Sequence, residues 1–363
     1  MKVEAAFALR QKTPIQLATL TLEKPGEREV LIEMKAAGLC HSDMMLFDGT
    51  RMEWQDYPLV LGHEGAGIVR EVGPGVTTVK PGDHVIPVPI PECGECTACL
   101  SGKTNLCDRY YQPPPRPVFS LDGKSFRSFC ELGTFAQYIT VREMQVAKIR
   151  DDVPLDIVCC LGCAGATGLG AAIFTAEVAS GSSVVVFGLG GIGLNVVNGA
   201  KLNGASMIIG VDTNPTKRQA AFAAGATHYV NPKDHGDNLI GVLKEMTGGG
   251  ADYAFECVGS AKVLSDTVEC TRLGWGTAVT IGILPTGEQL QLRPRAIQEG
   301  RKLMGSYLGN IKSRSQLPIL ADWYAEGKLA LDDLISHRIA LSEIASGFDL
   351  LRDGKARRVV IEF

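Results

Sequence analysis

The chain has 363 residues, too many for one ordinary domain and enough for two, each with a sizeable core. Its 45% hydrophobic content, 42 glycines and 6% aromatic residues describe a globular chain rich in turns and close packing, and exclude the fibrous and disordered classes. A net charge of −4 provides no basic face for nucleic acid. The opening MKVEAAFALRQKTP is interrupted by Glu4, Arg10, Gln11 and Lys12, so it reads as neither a secretion signal nor a transit peptide. No stretch reaches the roughly 18 uncharged apolar residues of a membrane span. A cytoplasmic chain without a membrane partner is expected, and there thiols stay reduced. The eleven cysteines therefore point first to metal or nucleophile roles. Scattered ones such as Cys130, Cys159, Cys160, Cys257 and Cys270 read as small buried hydrophobes.

Taken in chain order, residues 1 to about 150 show short apolar runs such as REVLIEMKAAG, AGIVREVG, DHVIPVPI and FAQYITV, punctuated by Gly and Pro, which predict a β domain. Tyr110 to Gly133 lacks periodicity and reads as a long loop. Beyond about 165 the rhythm becomes strand then helix: SSVVVFGL, GGIGLNVVNGAKLNGA, MIIGVD, NPTKRQAAFAAGA, THYV, ADYAFECVG and GTAVTIGI. Repeated βα units predict a doubly wound parallel sheet, so the fold class is α/β. The last sixty residues break this rhythm and are expected to return to the first domain.

GLGGIG supplies Gly188, Gly190 and Gly193 in a GxGxxG pattern, with Gly191 and Ile192 between them. It follows a strand and opens a helix, and Asp212 comes nineteen residues after Gly193 at the end of the next strand. One glycine makes the tight turn, one admits a pyrophosphate to the backbone, and one lets helix pack on strand. Asp212 would accept from ribose hydroxyls and repel a 2′-phosphate, which favours NAD over NADP; Lys217 and Arg218 nearby blur that preference.

PECGECTACLSGKTNLC places Cys93, Cys96, Cys99 and Cys107 as C-x2-C-x2-C-x7-C, a spacing open to a disulfide knot, a redox pair, a nucleic-acid zinc module or a metal site in an enzyme. Elsewhere GLCHSD, LGHEGAG and LGCAGATG offer Cys40, His63 and Cys163, the Cys2His set expected of a catalytic zinc with one open position. Singly, each of these motifs could equally belong to a core.

In this order the motifs GLCHSD, GHEGAGIV, CGECTACLSGKTNLC, LGC-x3-TG, VFGLGGIGL, GVD and RRVVIEF resemble the zinc-dependent medium-chain alcohol dehydrogenases over essentially the whole chain. GKTNLC, VFGLGGIGL, FECVG and GWG are similar to the class III, glutathione-dependent formaldehyde dehydrogenase branch in particular. The resemblance implies a mostly β, GroES-like catalytic domain over 1–164 completed by 308–363, and a Rossmann cofactor domain over 165–307. It implies two Zn2+ per subunit. The catalytic ion would lie on Cys40, His63 and Cys163, with Glu64 behind the metal assisting ligand exchange. The second ion would lie on Cys93, Cys96, Cys99 and Cys107. Asp43 would orient His63, and Ser42 would take the substrate proton. His41 and Arg358 would contact the pyrophosphate, Thr167 and Ile192 the nicotinamide side, and Asp212 and Lys217 the adenosine ribose. Ile283 would border both cofactor and substrate. Such enzymes form homodimers, and GTAVTIGIL is the segment that hints at a joining surface.

Two departures from the family pattern bear on the substrate. The histidine that ends the proton relay is replaced by Met45. Where the class III branch has acidic residues before GHE, this chain has Met52 and Trp54, and Tyr111 stands in place of its arginine, with Arg109 two positions away. A pocket bordered by Trp54, Pro89, Tyr111 and Ile283 would be apolar and aromatic, suited to a bulky hydrophobic or aromatic alcohol or aldehyde. Formaldehyde dehydrogenation with glutathione, and reduction of imines or enones, are the alternatives on the same fold. A nucleic-acid zinc module is disfavoured by the charge and the lone Lys103 in the cysteine loop.

Overall fold

The computed structural model describes residues 1–49, 57–112 and 115–363, with the side chains of all of these except Phe47 and Tyr111. The chain divides into two compact units: Met1–Cys163 with Lys312–Gly327 and Ile335–Phe363, and Ala164–Ile311 with Lys328–Leu334. Lys328–Leu334 thus groups with the second unit, although it lies in the stretch expected to complete the first.

The first unit is built on β structure. Strands Lys2–Ala8, Gln16–Leu22, Phe119–Leu121, Lys124–Ser128 and Leu59–Val60 close a barrel. A second sheet runs in the order Val146–Lys148, His84–Pro87, Gly65–Val72, Glu29–Gly38, Val359–Glu362 and His337–Ala340, with Tyr138–Arg142 also paired to Glu29–Gly38. The final strand lies antiparallel on the third, Val360 opposite Gly38 and Glu362 opposite Ala36, so the C-terminus returns to this unit. Phe119, Phe126, Val30, Ile32 and Val69 are buried between these strands, and alternate residues carry the core because successive side chains leave a strand on opposite faces.

The expected loop over Tyr110 to Gly133 is corrected here. Its second half is a β-hairpin, Phe119–Leu121 paired with Lys124–Ser128. The turn is Asp122-Gly123, with φ of 49° and 78°, the two-residue geometry whose positive dihedrals match the twist of the flanking strands. Asp-Gly between Phe119 and Phe126 was the signal; the strands are too short for periodicity to register.

The second unit holds a sheet of six parallel strands in the order His228–Val230, Met207–Val211, Ser183–Phe187, Tyr253–Glu256, Thr277–Thr280 and Lys302–Gly305. In chain order this is 3-2-1-4-5-6, the doubly wound arrangement, whose direction reverses between Ser183–Phe187 and Tyr253–Glu256. Val184, Val185 and Val186 are buried, as an apolar run covered on both faces requires. Lys302–Gly305 was missed in the sequence because it is a largely exposed edge with no apolar run. Thr277–Thr280, the strand within GTAVTIGIL, has a partner on each side. Among the described residues no single helix is long and apolar enough to cross a membrane.

Candidate metal centres and nucleotide site

Cys40 precedes helix His41–Phe47 with extended dihedrals, and its carbonyl accepts from Asp43 N at 3.2 Å. His63 follows Gly62, whose φ of +94° and close approach to Thr134 Oγ1, 2.5 Å from where a Cβ would stand, admit no side chain. Cys163 ends the short helical turn Cys159–Gly162 in a non-helical conformation. Three separate segments of the first unit therefore bring their donor atoms within 4.8 Å of one another.

Around this cluster, Asp43 Oδ1 accepts from Gly62 N at 2.9 Å and lies 3.4 Å from His63 Nδ1, while Oδ2 lies 3.3 Å away. The His63 ring stands edge-on to Phe129 at 5.0 Å between centroids. Glu64 and Arg358 are both buried, with Glu64 Oε2 3.5 Å from Arg358 Nη1 and that nitrogen donating to Leu39 O at 2.8 Å. Burial pushes the Glu64 carboxyl up to about 7, against the pull of the Arg358 guanidinium. The Cys163 hydrogen bond, with His63 and Arg358, holds the Cys40 thiol well below its usual range, and Cys163 is pushed well up by Cys40 and by burial. Both Glu64 carboxylate oxygens lack a hydrogen-bond partner among the described residues. Two thiols that cannot both ionise beside each other, an imidazole and buried carboxylates are a donor set that a dication would neutralise, and zinc fits it.

The second cluster is as expected in composition and denser in support. Cys93, Cys96, Cys99 and Cys107 bring their sulfurs within 4.8 Å, and Cys96 N and Cys99 N each donate to a preceding cysteine sulfur at 3.4 Å. All are free thiols, which removes the disulfide knot. Four sulfurs complete a tetrahedron, so this set fits a closed zinc. Sequence reading missed what fastens the lobe: Lys312 Nζ donates to Cys99 O at 2.9 Å, Ser313 Oγ to Ile90 O at 2.6 Å, and Glu92 accepts from Arg314 N at 2.6 Å and Ser315 N at 3.0 Å. No local signal links residue 92 to 315.

In the second unit Gly188 turns with φ of +88° after Ser183–Phe187, and helix Gly191–Leu202 begins at once. A Cβ on Gly193 would lie 1.8 Å from Gly188 O, whereas one on Gly190 would meet nothing within 4 Å. The first glycine contact packs helix on turn; the second leaves the helix N-terminus open, the fit expected for a pyrophosphate. Asp212 Oδ2 accepts from Leu189 N and Lys217 Nζ, each at 2.8 Å, and Oδ1 from Asn214 N at 2.9 Å. Tyr229, which sequence reading passed over, donates its hydroxyl to Asp212 O at 2.7 Å. Thr167 is buried on helix Ala164–Gly170, which meets helix Gly191–Leu202 at Gly168, 2.3 Å from Ile192 O to an added Cβ.

His41 is exposed and Ser42 half-buried, both on helix His41–Phe47. The described contacts of the Arg358 side chain are with Leu39 and Glu64. Trp54 and Met52 lie outside the described residues, as does the Tyr111 side chain. Pro89 is half-buried in the first unit, and Ile283 is exposed in the second.

A β unit with a three-donor metal cluster, followed by a doubly wound unit with a glycine turn, is the architecture of the zinc-binding dehydrogenases. Residues 26–151 match the family described as Alcohol dehydrogenase GroES-like domain, and residues 191–326 match Zinc-binding dehydrogenase. The chain is 44% identical to S-(hydroxymethyl)glutathione dehydrogenase of Paracoccus denitrificans, across 99% of this chain and 100% of that one. Of solved structures, the alcohol dehydrogenase zinc-binding domain protein of Burkholderia ambifaria superposes with a TM-score of 0.93 at 30% identity, covering 100% of this chain and 99% of that one. Benzyl alcohol dehydrogenase of Acinetobacter calcoaceticus does so with a TM-score of 0.91 at 30% identity and the same coverage. The chain belongs to the zinc-dependent medium-chain alcohol dehydrogenase family, with a GroES-like domain and a Rossmann-type domain, and is an oxidoreductase.

Proposed function

We propose that the protein reversibly oxidises a bulky hydrophobic or aromatic alcohol to its aldehyde or ketone, with NAD as hydride acceptor and two zinc ions per subunit. The observation that carries this reading is the convergence of three donors, Cys40, His63 and Cys163, where a structural site would have four. When bound, zinc there supplies Lewis acidity toward an alcohol or carbonyl oxygen, and nicotinamide takes up or returns the hydride.

The chain's own side chains do the remaining work. Asp43 engages His63 at Nδ1 and so turns Nε2 toward the cluster. Ser42, on the helix that Cys40 starts, takes the substrate proton. Glu64, neutralised in part by Arg358, stands ready to enter the donor set during ligand exchange. The helix beginning at Gly191 receives the pyrophosphate, and Thr167, Ile192 and Ile283 border the nicotinamide. Asp212 has accepting capacity left on Oδ1 for a ribose hydroxyl, which favours NAD over NADP. The four-cysteine zinc is a brace. The catalytic domain on this reading is 1–164 with 308–363 and the cofactor domain 165–307, in a cytoplasmic homodimer.

The substrate class rests on Met52, Trp54 and Tyr111, which replace the charged residues that the class III branch uses to read glutathione. A second reading, oxidation of S-(hydroxymethyl)glutathione, is favoured by the name of the 44% identical relative. Absorbance at the NADH band separates the two, on protein of measured zinc content, across a panel of benzylic and long-chain alcohols and formaldehyde with and without glutathione. Faster turnover of benzylic alcohols is expected; equal or better turnover of formaldehyde with glutathione establishes the second reading. NADH consumption with imines and enones tests the reductase alternative.

A further inference from the structure

The fourth parallel strand, Tyr253–Glu256, ends on a carboxylate that is fully buried. A carboxylate withdrawn from water is costly unless donors surround it. Glu256 Oε1 accepts from Val258 N at 2.8 Å and Gly259 N at 2.7 Å, and the Glu256 carbonyl accepts from Ile281 N at 3.1 Å and Gly282 N at 3.0 Å. The carboxylate thus holds the loop after the fourth strand, while the backbone carbonyl of the same residue reaches the loop after the fifth. The fit is close: a Cβ on Gly282 would lie 2.6 Å from Glu256 Oε2 and 2.2 Å from Gly259 N. The carboxyl also takes a backbone hydrogen bond from Gly282, so the side chain itself reaches both loops.

These loops carry two exposed apolar side chains, Val258 at 56% and Ile283 at 42%. They also flank the glycine turn: Cys257 N donates to Phe187 O at 2.9 Å, and a Cβ on Gly188 would meet Val258 Cγ2 at 2.8 Å. This is the carboxyl end of the sheet where strand order reverses, the place at which open parallel sheets receive their ligands. Exposed apolar side chains there suit the flat face of a nicotinamide ring.

We propose that Glu256 is a positioning residue for the cofactor: its carboxylate sets the spacing of the Val258 and Ile283 loops so that the nicotinamide half of NAD(H) meets a preformed surface. The proposal rests on the NAD reading above. Preorganised loops save ordering entropy on binding, so their loosening weakens affinity before it slows chemistry.

The test is NADH binding by fluorescence titration on zinc-loaded protein, with melting temperature and steady-state constants, for the wild type, E256A, E256D and E256Q. E256A and E256D should raise the NADH Kd and the KM for NAD about tenfold. In both, kcat should change less than about threefold. E256Q keeps an acceptor for Val258 N and Gly259 N and should stay within about threefold of wild type in both constants. E256D, which retains the charge with a shorter reach, carries the test if E256A does not fold. An NADH Kd unchanged in E256D, with or without a lower melting temperature, overturns the proposal. A wild-type protein that binds no NADH overturns the NAD reading instead.

Discussion

Asp43 Oδ1 accepts the Gly62 N–H at 2.9 Å and lies 3.4 Å from His63 Nδ1, so one buried carboxylate fixes both the turn before the histidine and the histidine ring. D43N keeps the shape and removes the charge that supports His63. Zinc affinity at the three-donor cluster should fall by about 10- to 100-fold, read as faster loss of one zinc to a chelator. Retention of that zinc at wild-type affinity would show that Asp43 does not orient a ligand.

Cys99 lies 3.9 Å from Cys93 through sulfur and is anchored through its carbonyl by Lys312. In C99S the zinc content should drop by one ion per subunit and the melting temperature should fall. Turnover per remaining zinc at 25 °C should stay within about threefold, because a four-thiolate site has no position for substrate. A large loss of turnover in folded C99S, with the other zinc in place, would contradict the assignment of this cluster as a brace.

Glu143 joins three segments of the first unit, accepting from Thr77 N at 2.7 Å and Thr78 N at 2.8 Å and pairing with Arg28 at 3.1 Å. Burial works to raise its carboxyl pKa, but these donors outweigh burial and hold it below the ordinary value. Because the folded group titrates lower than the unfolded one, its stabilisation is present above the unfolded value of 4.5 and is lost as pH falls through the folded one. E143Q should cost about 1 kcal/mol at pH 7, and the difference from wild type should shrink below about pH 4. Denaturant midpoints at the two pH values measure it, and a constant difference would rule out the linkage.

Met45 occupies the position where many family members place the relay histidine, on the same helix as Ser42. The M45H variant should introduce into the pH profile of kcat/KM for alcohol oxidation an ionisation near about 6.5 that the wild type lacks. A profile unchanged by the substitution would mean that the Ser42 proton does not leave along that helix.

Much of the site is legible locally. Cys93 to Cys107 sits within one loop, and Gly188 to Gly193 with Asp212 spans a single strand-helix-strand unit, so residue spacing stands in for geometry. Where contacts join distant segments it does not. Glu92 meets Arg314 and Ser315, and Arg358 meets Glu64, through sheet pairing that no window of sequence reports. Short elements were also lost: the Phe119 to Ser128 hairpin was betrayed only by Asp-Gly, and the edge strand at Lys302 has no apolar run to mark it. Within FECVG nothing marks Glu256 out; its bonds to Val258 N and Gly259 N and its close packing against Gly282 exist only in the fold.

The kinds of donor and the glycine turn can be read from residue types, because thiolate, imidazole and missing Cβ atoms are properties of residues. That Cys40, His63 and Cys163, 23 and 100 residues apart along the chain, come within 4.8 Å of one another is an outcome of folding that their spacing does not contain. Pairing of Glu29–Gly38 with Gly65–Val72, Ala37 opposite Gly65, sets the segment of Cys40 beside that of His63, and the last strand on the other side of Glu29–Gly38 brings the Arg358 guanidinium to Glu64. Proximity of that kind is set by which strands pair, and pairing is a choice that the whole core makes at once.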